Sequence, residues 1–361
     1  MGGRQFVDIG PLTLESGVTL PDVRIAYESW GHPTGDNAVL ILHALTGDSH
    51  VVGPQGPGHP SPGWWDAVVG PGRPIDTDRF FVVAANILGG CQGTTGPASV
   101  APDGRAWGSR FPDLTVRDQV AAEVALSDRL GIERWRGVIG GSAGGMRALE
   151  WAIEHPERVE RLFLLATSAA ASAEQVALST TQQAAILQDP NFAGGDYYDA
   201  EAAPAAGLDL ARRIAHIAYR SEAELAQRFG RDLQPPDAPA GVPGSGRQTE
   251  QFAVASYLAH HGAKLVRRFD ANSYLRLTRA MDSHDVARGR GSVAEALGRI
   301  TARTVVAGID SDRLYPLYQQ RELAELIPGA EGLDVVTSPH GHDGFLVESE
   351  QVGALAAALL D

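Results

Sequence analysis

Ser142 lies in Gly140-Gly141-Ser142-Ala143-Gly144-Gly145-Met146, directly after an apolar run ending at Ile139 and directly before a helical pattern from Ala143 to His155. A serine at such a strand–turn–helix junction has the placement of a nucleophile, because the sharp turn lifts the hydroxyl out of the sheet. The flanking glycines permit the backbone crowding that the turn requires. The helix N-terminus behind the serine offers free N–H groups and positive partial charge to a developing oxyanion. In a chain with 42 glycines among 361 residues the Gly-x-Ser-x-Gly pattern alone is weak, so its placement carries the argument. A serine hydroxyl also needs a base. His342, in Gly341-His342-Asp343-Gly344-Phe345, follows the last predicted strand and precedes a terminal helix, with His340 as its rival. For the acid that orients such a base, Asp310 and Asp312 both follow the run Thr304–Ala307, and position alone does not choose between them.

These residues must be positioned by a sheet. Short aliphatic runs predict buried strands at Val39–His43, Phe80–Ala85, Gly137–Gly140, Leu162–Ala166, Thr304–Ala307 and Leu333–Thr337. Helical patterns separate several of them; one starts at Thr115, a predicted N-cap, with Val116, Val120 and Val124 on one face. This alternation predicts an α/β fold with a mostly parallel central sheet. Val23–Trp30 alternates like an antiparallel strand near the sheet edge. The alternation stops after Thr167 and resumes near Thr304, which predicts a core of residues 1–167 and 304–361 and a helical lid insertion over 168–303. The lid is interrupted by a proline-rich stretch, Pro235–Pro243, expected to form a mobile loop.

Composition narrows the chemistry. The hydrophobic fraction is 43%, enough for a sizeable core, and the net charge of −14 disfavours nucleic acid and anionic membrane surfaces as partners. Lys264 is the only lysine and follows Ala263, so there is no phosphate-binding Gly-x-x-x-x-Gly-Lys loop. The single cysteine, Cys91, forms no intrachain disulfide and fits a reducing, cytoplasmic setting. No run approaches the ~20 apolar residues of a membrane span, and the first residues lack a signal-peptide pattern. Met281-Asp282-Ser283-His284-Asp285 resembles a metal-binding cluster, but no further ligand spacing supports one, and it is read as structural. Cys91 is read as a turn residue near the site.

Six blocks in order resemble the homoserine O-acetyltransferase family: HALTGDSHV (43–51), NILGGCQGTTGP (86–97), GGSAGGM (140–146), YLRLTRAMDSHD (274–285), SDRLYP (311–316) and GHDGFL (341–346). The resemblance implies an α/β-hydrolase fold and an acyltransferase of methionine biosynthesis. It implies Ser142 as nucleophile, Asp312 rather than Asp310 as the acid, and His342 as the base. It further implies the Leu45 and Ala143 N–H groups as the oxyanion hole, Arg212 as the partner of the substrate carboxylate, Tyr219 beside it, and Asp343 as the partner of the substrate amine. Ala143 departs from the methionine common in the family, at a position where only the backbone donor is required. The implied reaction moves acetyl from acetyl-CoA to homoserine through an acetyl-serine, with no metal or prosthetic group. The implied assembly is a homodimer through the lid helices. The alternatives are succinyl-CoA as donor, serine as acceptor, or a serine esterase using water.

Overall fold

The computed structural model describes residues 3–234 and 252–361, so the stretch Pro235–Pro243 lies outside the described residues. Among the described residues ten strands form: β1 (Gln5–Thr13), β2 (Thr19–Trp30), β3 (Ala38–Leu42), β4 (Val69–Gly70), β5 (Ile75–Asp76), β6 (Phe81–Ala85), β7 (Gly137–Gly141), β8 (Arg161–Leu165), β9 (Arg303–Ile309) and β10 (Ala330–Val336). Eight of them make one sheet in the order β1-β2-β6-β3-β7-β8-β9-β10, while β4 and β5 pair separately. From β6 to β10 all neighbours are parallel; β2 is antiparallel to both β1 and β6. This is the predicted α/β architecture.

The central strands β3, β6, β7 and β8 are buried almost throughout because helices cover both faces of the sheet. α1 (Val116–Arg129) and α2 (Ala143–Glu154) pack Val120, Leu126, Leu149 and Trp151 against Leu40, Val138 and Leu162. On the other face α11 (Ser349–Leu360) brings Val352, Ala356 and Leu359 against Val39, Ile139 and Phe163. Thr115 caps α1, its side chain accepting from the Asp118 N–H while the Asp118 carboxylate accepts from the Thr115 N–H.

Val23–Trp30 lies in an antiparallel strand near the sheet edge, as expected, and the strand outside it carried no sequence signal. The edge strand is β1, and β2 starts at Thr19 and lies one place inward. In β1, Gly10-Pro11 interrupts the alternation, most side chains are at least partly exposed, and two register shifts break the ladder with β2. Periodicity therefore gave β1 no signal.

Between β8 and β9 the described chain is helical: α3 (Ala173–Leu187), α4 (Ala205–Tyr219), α5 (Glu222–Phe229), α6 (Ala253–Val266), α7 (Ala271–Asp282) and α8 (Val293–Leu297). Ile186, Leu208, Ala211, Leu265 and Tyr274 make a separate apolar cluster, and it includes Leu45 and Ala143 of the nucleophile region. The helices thus rest on the loops at the C-terminal ends of the strands, where open α/β sheets place their ligands. The core is completed by α9 (Leu317–Leu326) and, between β10 and α11, α10 (Gly344–Val347). No helix among the described residues is long and apolar enough to cross a membrane.

His43, His216 and His284 are buried, and none of them forms an ion pair among the described residues. Burial and the neighbouring Arg147 guanidinium lower His43 to about 3; burial lowers His284 to about 4 and, with Arg212, His216 to about 2. In the unfolded chain they titrate near pH ~6.5, so protons bind preferentially to that state. Their contribution to stability is complete above about pH 6.5 and drains as pH falls below it, by at most about 1.4 kcal/mol per pH unit for each group. Denaturant midpoints should therefore drop between pH 7.5 and 5.5. A midpoint unchanged over that interval would contradict the buried neutral state.

Candidate active site

Ser142 joins β7 to α2 with φ 55° and ψ −124°, a strained conformation for a residue bearing a Cβ. The turn is possible because two glycines remove obstacles. A Cβ at Gly140 would sit 2.2 Å from the Gly144 carbonyl oxygen, and one at Gly144 would sit 2.0 Å from that of Leu42. The elbow is pinned from β8: the Ser142 N–H donates to Leu165 (2.9 Å) and the Thr167 hydroxyl to the Ser142 carbonyl (2.9 Å).

His342 reaches this serine from the single turn Gly341–Asp343 after β10. Its Nε2 lies 2.8 Å from Ser142 Oγ and its Nδ1 2.6 Å from Asp312 Oδ2. The other carboxylate oxygen of Asp312 accepts the Leu314 and Tyr315 N–H groups at 2.8 and 2.9 Å. These bonds favour an Nδ1–H imidazole whose Nε2 accepts from the serine hydroxyl. Asp310 is exposed and accepts instead from the Ser338 N–H (3.0 Å). His340 is turned away, with Nδ1 3.8 Å from Glu224. Sequence reasoning passed over Tyr315, whose buried ring stacks on His342 at 4.9 Å, with Phe345 edge-on at 5.3 Å. An aromatic three residues past a candidate acid was the available signal.

Leu45 follows β3 and Ala143 opens α2; among the described residues neither backbone N–H is engaged by an acceptor. One pocket is lined by Ser142, His342, Arg212, Tyr219 and Asp343 together. Arg212 donates to the Thr46 hydroxyl at 3.3 Å, its guanidinium lies 5.3 Å from the Tyr219 ring centre, and no carboxylate pairs with it among the described residues. Its neighbour Arg213 is held by Asp209 at 2.6 Å, so Arg212 is the cation left facing the pocket. Asp343 is half-buried and its Oδ2 is 3.2 Å from Arg220 Nε. Burial pushes its carboxyl above the usual range, against the pull of Arg220 and His342. A cation brought to the other carboxylate oxygen would reverse that shift.

Cys91 lies in a neighbouring crevice with Leu45 and Ile87, where burial pushes its thiol up to about 12, so it is inert at neutral pH. In the Met281–Asp285 segment, Asp282 accepts from Ser179 and Gln183, and Asp285 accepts from the Ala287 N–H. Among the described residues the only convergence of three metal-capable side chains is Glu28, His50 and His59. There the two imidazoles stack at 3.8 Å and 14°, so a metal in the plane of one ring lies outside the plane of the other.

Residues 37–349 match a family model described as the alpha/beta hydrolase fold. The chain is 60% identical to a homoserine O-acetyltransferase of Thermobifida fusca, over 99% of this chain and 94% of that protein. It is 56% identical to the homoserine O-acetyltransferase of Mycobacterium leprae, over 99% and 92%. Among solved structures it resembles homoserine O-acetyltransferase from Bacillus anthracis, with TM-score 0.89, 26% identity and coverage of 100% and 98%. It equally resembles esterase E22, with TM-score 0.89, 26% identity and full coverage of both chains.

Proposed function

Because this chain belongs to the α/β-hydrolase fold family and, within it, to the homoserine O-acetyltransferases, we propose that it moves acetyl from acetyl-CoA to the hydroxyl of L-homoserine by double displacement. His342 takes the proton from Ser142 as the serine attacks the thioester carbonyl. The Leu45 and Ala143 N–H groups hold the oxyanion, the CoA sulfur leaves with the proton from His342, and acetyl-Ser142 remains. Homoserine then enters with its carboxylate toward Arg212 and Tyr219 and its ammonium toward Asp343. His342 deprotonates its hydroxyl, which attacks the acetyl carbonyl; the bond to Ser142 Oγ breaks, the proton returns from His342 to Ser142, and O-acetylhomoserine leaves. Asp312 keeps the imidazole in the required tautomer.

The observation that supports an amino-acid acceptor is the pair of opposite charges in the serine's own pocket: Arg212 without a carboxylate among the described residues, and Asp343 with one oxygen on Arg220. A zwitterion leaving water needs an opposite charge at each end, since an unpaired buried ion costs several kcal/mol. The reading includes a lid over residues 168–303, a cytoplasmic setting, and a homodimer through lid helices, for which the exposed Leu210 and Ile217 of α4 offer apolar surface. The likeness to esterase E22 supports a second reading in which water is the acceptor. CoA release and product mass, measured with acetyl-CoA or succinyl-CoA and with homoserine, serine or water alone, separate these readings. The expected product is O-acetylhomoserine, and CoA release without homoserine that continues over many turnovers, beyond the single burst of acylation, would favour the esterase.

Arginine suits a carboxylate because its planar fork makes two parallel bonds. Arg212→Leu should therefore weaken homoserine binding by roughly 2–5 kcal/mol. The burst of CoA release without homoserine should persist, because the first half-reaction involves no amino acid. Loss of that burst would reassign Arg212 to the fold or the donor.

A further inference from the structure

The Leu45 N–H belongs to the same peptide unit as the Ala44 carbonyl, and that carbonyl is held from one side by a buried ring. His43 Nδ1 is 2.7 Å from the Ala44 oxygen, and the Gly47 N–H donates to the same oxygen at 2.9 Å. His43 Nε2 lies 3.2 Å from the Ile87 nitrogen, whose N–H it accepts. A carbonyl can only accept and a backbone N–H can only donate, so both contacts require one tautomer, neutral with the proton on Nδ1. The residue itself is immobilised: its carbonyl accepts from the Arg147 guanidinium, which is ion-paired with Glu123, whose second oxygen accepts the Trp151 indole N–H at 2.8 Å. His43 is 2% exposed and does not line the pocket of Ser142, so it does not touch a substrate there.

We propose that His43 is a positioning residue that aims the Leu45 N–H at the oxyanion by fixing the carbonyl of the Ala44–Leu45 peptide. The peptide is planar and trans, so anchoring the C=O on one side directs the N–H to the opposite side. A hydrogen bond at the carbonyl also polarises the amide and strengthens its N–H as a donor. Burial and Arg147 keep the ring neutral, with His43 lowered to about 3, so Nε2 stays an acceptor for the Ile87 N–H and holds the ring with its Nδ1–H on Ala44. The inference rests on the proposed role of Leu45 and adds the group that orients it.

Two variants separate the two ring nitrogens. His43→Asn places an amide N–H near the Nδ1 position and gives up the bond from Ile87. His43→Gln places an amide oxygen near the Nε2 position and gives up the donor to Ala44. The readout is the pre-steady-state burst with p-nitrophenyl acetate, which reports acylation of Ser142 without CoA or homoserine, together with the thermal midpoint and the KM for homoserine. Loss of one oxyanion donor costs about 10²–10³ in rate, and a misaimed one costs less. We expect His43→Asn to burst within a few-fold of wild type. His43→Gln should slow the burst by about ten- to a hundredfold, with the KM for homoserine unchanged. Equal slowing in both variants, or a wild-type burst in His43→Gln, would overturn the proposal. If His43→Gln does not fold, His43→Asn decides alone: a rate near wild type supports the donor role and a slow burst overturns it. A wild-type protein with no burst would instead overturn the Ser142 reading, and this inference with it.

Discussion

Ser142→Ala should lower turnover by about 10⁴–10⁶-fold, the loss expected when one member of a catalytic unit is removed. The geometry makes this a chemical loss rather than a folding loss. The serine side chain makes no capping bond to α2, and alanine carries the same Cβ through the strained φ of 55°. What disappears is the hydroxyl that lies 2.8 Å from His342. The variant should keep the wild-type thermal midpoint and still bind acetyl-CoA while failing to acquire an acetyl group. Retained turnover above about one part in 10³ would mean that the serine is not the nucleophile.

Asp312→Asn should cost about 10⁴ in kcat, and Asp310→Asn less than tenfold. The reason lies in which oxygen faces what. Asp312 Oδ1 accepts two backbone N–H groups, so an asparagine there must keep its carbonyl oxygen in that place. Its amide nitrogen then takes the position of Oδ2, 2.6 Å from His342 Nδ1, and presents a donor where an acceptor stood. The imidazole responds by moving its proton to Nε2, which can no longer accept from Ser142. Asp310 is exposed, and an asparagine preserves its acceptor for the Ser338 N–H. Steady-state kinetics on the two purified variants check this, and comparable losses in both would defeat the assignment.

The same pair of aspartates marks a boundary of what the sequence makes legible. Both follow one strand, and strand position says nothing about which carboxylate turns inward. That is decided by the Leu314 and Tyr315 N–H groups, a feature of loop geometry with no residue signature. The central parallel strands were legible because burial on two faces makes each an apolar run, as in Ala38–Leu42 and Arg161–Leu165, whereas parallel β10 is mostly exposed and was signalled only by Leu333, Val335 and Val336. Strand β1 was not, because it is mostly exposed and bulged. Ser142 was legible because close packing at Gly140 and Gly144 demands glycine at fixed spacing. Arg212 and Asp343 carried no such pattern and were reached through the family resemblance. Choosing Arg212 over Arg213 in space depends on Asp209, one helical turn earlier, which ties up the neighbour. His43 and Tyr315 escaped notice because a ring's partner is set by tertiary contacts that periodicity does not encode.

The covalent acetyl-serine on which the proposed double displacement turns can be observed directly. Purified protein is mixed with acetyl-CoA alone, quenched in acid and digested, and the peptide containing Ser142 is weighed; a second portion is chased with homoserine before quenching. An acetyl adduct is expected on that peptide, absent in Ser142→Ala, and it should disappear on the chase as O-acetylhomoserine forms. Formation of O-acetylhomoserine by an enzyme whose Ser142 peptide never carries the acetyl group would contradict it.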